Sequence, residues 1–156
     1  MFNLMANGLA CLALAVLLQG CQSPAPVSEA GRAAVLRQHN PRARVVEIPV
    51  PKRDFVSAAR NIEQIRRLRL VEVTATEEGG RSPFPEYRLF NIAPQSAYAL
   101  LGLTEGDVLV SANDYALNDP ELFKQYVQVL HVESGETFIE IRRNGEPLIL
   151  SYRFVG

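Results

Sequence analysis

Short apolar runs interrupted by polar positions fill the second half of the chain, and this pattern is typical of β-strands. Three such runs cover residues 70–74, 87–92 and 108–112. Two longer runs, TFIEIRR and PLILSYRF, stand on either side of Asn144-Gly145, a pair that favours the type I′ turn of a β-hairpin. The pattern therefore predicts five strands, the last two joined by a tight turn.

Apolar positions three and four residues apart predict three helices. The first covers residues 54–69 with Asp54 as its N-cap. Its apolar face consists of Phe55, Ala58, Ile62, Ile65 and Leu68. A short helix opens at Pro94 and stops at Gly102, and a third begins at the Asn118-Asp119-Pro120 cap. The apolar face of the third consists of Leu122, Phe123, Tyr126, Val127 and Leu130. Strands combined with helices in this order predict an α+β fold.

The amino-terminal segment has a different character. Residues 1–28 contain no charged side chain. Within them, the apolar run LACLALAVLL, residues 9–18, would rise about 15 Å as a helix, which is half the thickness of a bilayer core. That length is typical of the apolar centre of a signal peptide and too short for a comfortable membrane span.

The sequence LLQGC, residues 17–21, resembles the lipobox of bacterial lipoproteins. The resemblance implies that residues 1–20 are a lipoprotein signal peptide, cleaved before Cys21, and that Cys21 then carries palmitate-type acyl chains. It also implies a lipid-anchored protein on the periplasmic side of a bacterial membrane. Gln22 favours the outer membrane over the inner one. The alternative is an uncleaved anchor, with Cys21 as a stray thiol beside it.

Residues 21–52 are predicted to form a flexible tether, because the segment begins with small, polar and proline-bearing residues that have nothing to bury. The run VVEIPV, residues 45–50, predicts an edge strand at most, since Pro49 and Pro51 lack backbone N–H donors. The globular domain is accordingly expected over residues 53–156.

Charge is divided unevenly along the chain. Residues 29–69 hold ten Lys and Arg against four Asp and Glu, a net charge of +6, whereas residues 70–156 hold six against thirteen, a net charge of −7. Next to a lipid anchor, the basic segment would either lie against anionic headgroups or form a solvated helix face. The sequence leaves both alternatives open.

Composition argues against several classes of function. The chain has 156 residues, a net charge of −1, two Cys and two His. These numbers argue against a uniformly basic nucleic-acid-binding protein and against a Cys/His metal site. His39 lies in the predicted tether, His131 ends a helix, and no GxSxG motif is present. No enzyme activity, cofactor or small-molecule substrate is therefore predicted.

The segment YRLFNIAPQSAYALLGLTEGDVLVSANDYALNDPELF, residues 87–123, resembles a bacterial PDZ domain. The match is to the PDZ domain of type II secretion component C (general secretory pathway protein C), with its P-x-S helix and L-G-L-x-x-G-D turn. The resemblance extends over about residues 50–155. It implies a small, partly open β-barrel or sandwich with two capping helices, preceded by a further helix and the tether.

PDZ domains bind an extended peptide at a strand edge that faces a helix. The resemblance places this groove between strand 87–92 and helix 120–130. The peptide-binding residues that it implies are Phe84, Pro85, Glu86 and Tyr87 around the peptide end, and Leu89, Leu122 and Tyr126 in the pocket wall. Each of the apolar residues could equally belong to the core.

The implied partner is a protein or peptide segment of the cell envelope, or a secreted protein, in a type II secretion-like pathway. Glu86 stands where the family usually has Gly, so a carboxylate near the predicted peptide end disfavours a C-terminal carboxylate as ligand. The alternative is a structural lipoprotein that is docked permanently in an envelope complex and has no peptide ligand. Nucleic acid is not expected as a partner.

Overall fold

The computed structural model describes Leu36 and residues 40–73, 76–77, 80–81, 85–113, 115–117, 119–132 and 137–156. The predicted signal peptide, Cys21 and most of the predicted tether lie outside these residues. Of the helices within the described ranges, none is both long enough and apolar enough to cross a membrane. The described residues form a small domain in which helices cover a mixed sheet.

A mixed sheet lies at the centre of this domain. The strands in chain order are β1 (Arg44–Pro51), β2 (Arg69–Val73), β3 (Thr76–Glu77), β4 (Gly80–Arg81), β5 (Glu86–Phe90), β6 (Val108–Ala112), β7 (Tyr115–Ala116), β8 (Thr137–Arg143) and β9 (Glu146–Val155). The central sheet has the order β1-β9-β8-β6-β5-β2, with β7 against β6, and β3 pairs with β4 separately. Neighbouring strands are antiparallel except for β1 and β9, which run parallel.

The helices are α1 (Lys52–Ala59), α2 (Ile62–Arg67), α3 (Ala97–Leu100) and α4 (Pro120–Val129). The predicted start of α4 is confirmed, because the Asp119 side chain accepts a hydrogen bond from the N–H of Glu121 and Pro120 occupies the first turn. The cap of α3 is Ser96 and not Pro94, since the Ser96 hydroxyl accepts a bond from the N–H of Ala99.

The helices and the sheet share one large hydrophobic core. It includes Phe55 of α1, Tyr98 of α3 and Phe123 of α4, together with inward residues of the sheet such as Ile139 and Leu150. A second, smaller cluster consists of Leu36, Ala43, Phe138 and Ile149. Helices packed on a mostly antiparallel sheet confirm the predicted α+β class.

The predicted hairpin turn and the predicted stop at Gly102 are confirmed by backbone conformation. Asn144 and Gly145 both have positive φ angles, 54° and 85°, as a type I′ turn requires. Gly102, with φ 71°, ends the segment after α3, and a Cβ placed there would lie 3.2 Å from the side chain of Ile48. Asn113 has φ 44° in the turn that joins β6 to β7.

Strand β1 corrects the predicted boundary between tether and domain. Residues 44–51, predicted as part of the tether, pair with β9 over their whole length. Val50 is fully buried, so this strand contributes directly to the core. The two prolines are tolerated because β1 is the last strand at this end of the sheet and its outer edge needs no donors.

The helix predicted over residues 54–69 is two helices, α1 and α2, separated at Arg60 and Asn61. The Asn61 side chain accepts a hydrogen bond from the N–H of Gln64 and thereby starts α2 as a new helix. Because the break rotates the second segment, Ile65 is buried whereas Ile62 is 44% exposed. The predicted continuous apolar face is therefore wrong at Ile62, and α1 begins at Lys52 instead of being capped by Asp54.

Candidate peptide-binding site

The strand that was expected to receive a peptide, 87–92, is an interior strand. It forms β5, which is paired with β2 on one side and with β6 on the other. Its residues past Phe90 leave the sheet, since Asn91 adopts a positive φ of 63°. A peptide strand therefore has no open edge on β5, and this part of the predicted groove is corrected.

Among the described strands, β1 and β2 end the sheet order, and the open edge next to β5 belongs to β2. The backbone of Leu89 shows which β2 groups face outward. Its N–H donates to the carbonyl of Asp107 at 2.8 Å and its carbonyl accepts from the N–H of Gly106 at 2.9 Å, so both groups point away from β2. Leu70, opposite Leu89, is thus in a pair without hydrogen bonds.

Because backbone groups alternate along a strand, the N–H and C=O of Leu70 and Glu72 are directed to the open edge, whereas those of Arg69, Val71 and Val73 face β5. The side chain of Glu72 is exposed and that of Leu70 packs partly against the core. The edge of β2 therefore presents two sets of outward main-chain groups on a strand that the core holds in place.

The surroundings of this edge are basic. Arg66 and Arg67, in the last turn of α2, and Arg69, the first residue of β2, are all exposed. The Asn91 side chain donates a hydrogen bond of 2.8 Å to the carbonyl of Arg67 and so ties the end of α2 to the end of β5. The start of β2 is consequently held in position beside several cations.

A second feature is an apolar groove between α4 and the β6–β7 turn, which we call the α4 groove. It has a volume of about 400 Å³. Its lining residues are Ala112, Tyr115, Ala116, Leu117, Leu122, Gln125, Tyr126 and Val129. Tyr115 is 79% exposed and Leu122 is 53% exposed, so apolar surface is open to a partner here.

The structure brings together two of the predicted binding residues, Leu122 and Tyr126, which both line the α4 groove. Leu89 is fully buried in the core and cannot form a pocket wall. Pro85 and Tyr87 are half-buried at the start of β5, away from the α4 groove lining, and Phe84 lies outside the described residues. The described members of the predicted set therefore do not form one site.

Glu86 is buried and forms a two-point ion pair with Arg142 of β8, one contact of which measures 2.9 Å. The guanidinium compensates the charge of this carboxylate and fixes both of its oxygens. The expectation that Glu86 repels a peptide carboxylate is therefore wrong, because its charge is already paired inside the sheet.

An equivalent pair supports the turn that precedes β6. The side chain of Asp107 is completely buried and accepts hydrogen bonds from Arg143, each at 2.8 Å, and from the N–H of Thr104. Arg143 also donates to the carbonyl of Gly102 at 2.8 Å. The bond to Asp107 raises the pKa of Arg143 above its ordinary value, so Arg143 keeps its positive charge.

Sequence reasoning missed Leu70 and Glu72 as the residues of an open edge. The available signal was the position of RLVEV directly after a helix and before a glycine-rich turn, which is compatible with a terminal strand. Periodicity alone does not say which strands are neighbours. In the part of the chain that the structure describes, no group of three or more His, Cys, Asp or Glu could hold a metal ion.

No family model matches the chain, and no curated protein matches it. Its structure is similar to a solved structure of the PDZ domain of EpsC from Vibrio cholerae, with 23% identity, a TM-score of 0.38, and coverage of 64% of this chain and 90% of that chain. A shorter fragment of the same domain gives 18% identity, a TM-score of 0.31, and coverage of 55% and 93%. Both of these solved structures are PDZ domains.

Proposed function

We propose that this chain is a protein-interaction module that adds an extended segment of a partner protein to the outer edge of β2. The observation behind this proposal is that β2 ends the sheet order and directs the backbone groups of Leu70 and Glu72 outward. Such an edge offers a row of donors and acceptors that an added strand satisfies. Main-chain pairing of this kind tolerates many partner sequences.

Selectivity then comes from side-chain contacts. The α4 groove supplies apolar surface, and the cations at the start of β2 favour a segment with acidic side chains or a carboxylate at that end. Because Glu86 is paired with Arg142, it does not oppose such a ligand. The partner is a segment of an envelope or secreted protein, in a type II secretion-like pathway that the sequence motifs suggest.

The decisive experiment exchanges Glu72 for proline. Glu72→Pro removes one outward N–H but no hydrogen bond between β2 and β5, because that N–H faces the open edge. Binding of fluorescent peptides selected from a random library should weaken at least tenfold, about 1.4 kcal/mol. Glu72→Ala removes the side chain and keeps the donor, so it is the matched control and should bind normally.

Both variants should melt at the temperature of the parent protein, which shows that any loss of binding does not come from unfolding. If Glu72→Pro is folded and binds the selected peptides as well as Glu72→Ala does, the edge of β2 is not the binding surface. Permanent docking through another face would then replace peptide binding as the function.

We further propose that the module is tethered to a membrane through lipid on Cys21, on the periplasmic side and at the outer membrane. The support is the LLQGC sequence after an uncharged, apolar leader. Mass spectrometry of the native protein should show an acylated Cys21 at the amino terminus, and Cys21→Ser should prevent acylation. A native protein that begins with Met1 would contradict the anchor and leave the peptide-binding proposal intact.

A further inference from the structure

A cavity lined by cations lies beside α1, where β1 and β9 end. Its volume is about 480 Å³. Its lining residues are Lys52, Arg53, Val56, Ser57, Arg60 and Gly156. Every charged side chain in this lining is a cation, and all three are exposed. We call this feature the cationic cavity.

These cations have no counter-ion among the residues that the structure describes. In the described part of the chain, none of Lys52, Arg53 and Arg60 forms an ion pair. Asp54, on the same helix, lines a different cavity on the other flank of α1. Even a carboxylate on Gly156 would leave two positive charges uncompensated. The cavity is therefore suited to an external anion.

The start of α1 strengthens this preference. Pro51 occupies the N-cap position and provides no side-chain cap, so the first N–H groups of the helix have no side-chain acceptor. Asp54 lies in the same first turn and already provides one negative charge, so these groups and the helix dipole add modestly to the attraction that Lys52 and Arg53 exert on an anion. Phosphate oxygens match both the guanidinium groups and the N–H donors.

The margin of the cavity is apolar, which favours a lipid surface over a dissolved anion. Val56 belongs to the lining, and Val155, 40% exposed, is paired with exposed Pro51 at the ends of β9 and β1. Cations interspersed with exposed apolar side chains are typical of surfaces that lie in a bilayer interface. The concentration of positive charge in residues 29–69, with a net charge of +6, agrees with this orientation.

We propose that the cationic cavity binds the phosphate headgroup of an anionic phospholipid and so places α1 against the membrane. The cavity lies next to β1 and β9, at the opposite end of the strand order from β2. A domain docked in this way keeps the edge of β2 accessible to a partner. Lipid binding and peptide binding are therefore separate properties of two surfaces.

The test uses the full chain and vesicles of phosphatidylcholine, with or without phosphatidylglycerol, in a sedimentation assay. The variant Lys52→Gln/Arg53→Gln/Arg60→Gln removes the cavity cations. Each cation near an anionic bilayer increases the affinity for the vesicles about fivefold. The increase in affinity that phosphatidylglycerol provides should therefore be about a hundredfold smaller for this variant than for the parent protein. Affinity for pure phosphatidylcholine, which reports the apolar amino terminus, should not change.

The matched control is Arg66→Gln/Arg67→Gln/Arg88→Gln, which removes the same charge from exposed positions outside the cavity. It should keep most of the phosphatidylglycerol-dependent gain. An equal loss in both variants would show a general charge effect and overturn the proposal. If the triple cavity variant does not fold, the single reversal Arg60→Glu tests the same contact and should lose at least tenfold.

Inorganic phosphate distinguishes the source of the anion. Millimolar phosphate should compete weakly with vesicles, because it lacks the apolar contacts. If phosphate alone binds as tightly as the vesicles and displaces the protein from them, the cavity is a site for a soluble anion and the lipid proposal fails. Peptide binding at β2 should be unchanged in the cavity variant, so this proposal and the proposed function can fail independently.

Discussion

Two consecutive arginines of β8 hold Glu86 and Asp107, the buried carboxylates of the part of the chain that the structure describes. Arg142 pairs with Glu86 and Arg143 pairs with Asp107. Since neighbouring residues of a strand point to opposite faces, the two pairs lie on opposite faces of the sheet. One pair fixes the start of β5, and the other fixes the turn before β6. Loss of either partner would leave an uncompensated charge in the sheet.

Buried tyrosines give the domain a specific response to alkaline pH. Burial raises the pKa of Tyr98 and Tyr152 above the ordinary value of 10.0. In the unfolded chain these phenols ionise at about pH 10. The stability that they confer is therefore fully present below that pH, and it is lost as the pH rises through their pKa values in the folded protein. The free energy of unfolding should fall by up to about 2.7 kcal/mol per pH unit, measured by urea denaturation between about pH 9 and 11.

Tyr98→Phe should reduce this slope by about half. At neutral pH it should also cost about 1 kcal/mol, because the Tyr98 hydroxyl donates a hydrogen bond of 3.2 Å to the carbonyl of Ile65. Tyr115→Phe is the matched control at neutral pH, since Tyr115 is 79% exposed. If the free energy of unfolding falls equally steeply with alkaline pH in Tyr98→Phe and in the parent protein, Tyr98 does not contribute to this pH dependence.

Leu122 provides the test of the α4 groove. Leu122→Arg places a charge on the groove without entering the core, because Leu122 is 53% exposed. Binding of the selected peptides should weaken more than tenfold, about 1.4 kcal/mol, while the melting temperature stays unchanged. Val132→Arg, at an equally apolar position that is 71% exposed and outside the groove lining, should bind normally. Equal peptide binding by both variants would show that the α4 groove is not part of the peptide-binding surface.

At the scale of elements, the break between α1 and α2 decides which residues support the sheet. Phe55 and Ala59 of α1 and Ile65 of α2 are buried, and Tyr98 reaches the carbonyl of Ile65. A continuous helix would turn Ile62 inward and move that carbonyl away. The new start at Asn61 therefore lets two short helices cover one core.

Two isoleucines that sequence periodicity treats alike should respond differently to truncation. Ile65→Ala should cost about 3 kcal/mol in the free energy of unfolding, because Ile65 is 3% exposed and its loss leaves a cavity. Ile62→Ala should cost less than about 0.5 kcal/mol, because Ile62 is 44% exposed. Urea denaturation measures both. Equal costs would indicate that the helix is continuous.

At the scale of the whole molecule, β1 closes one end of the sheet and connects the amino-terminal segment to the domain. It pairs in parallel with β9 from Arg44 to Pro51. Leu36 and Ala43 pack with Phe138 and Ile149 in a separate cluster, so contacts reach beyond the strand itself. The domain therefore begins well before residue 53.

Truncation should show this boundary directly. A chain that begins at residue 30 keeps Leu36 and β1 and should melt cooperatively, like the parent protein. A chain that begins at Arg53 loses the parallel strand and fully buried Val50, and it should not fold. Circular dichroism on heating measures both. A cooperative transition in the shorter chain would show that β1 is an accessory strand.

The sequence by itself determined the features that depend on a few neighbouring residues. Asn144 and Gly145 give the last turn because both accept positive φ, and Asp119 with Pro120 starts α4 because the cap and the missing N–H act locally. The α+β class follows from the presence of both strand-like and helix-like periodicity. These predictions are confirmed because their physical causes lie within one or two turns of the chain.

The tertiary structure alone decided which strands are neighbours and which apolar residues remain exposed. The partners of β1 and β9 are about a hundred residues apart, the outer edge falls on β2 instead of β5, and Leu89 lies in the core while Leu122 lines a groove. Periodicity gives each strand or helix an apolar face but no partner for it. Long-range packing determines the partners, because all strands and helices must bury their apolar faces in one core at the same time.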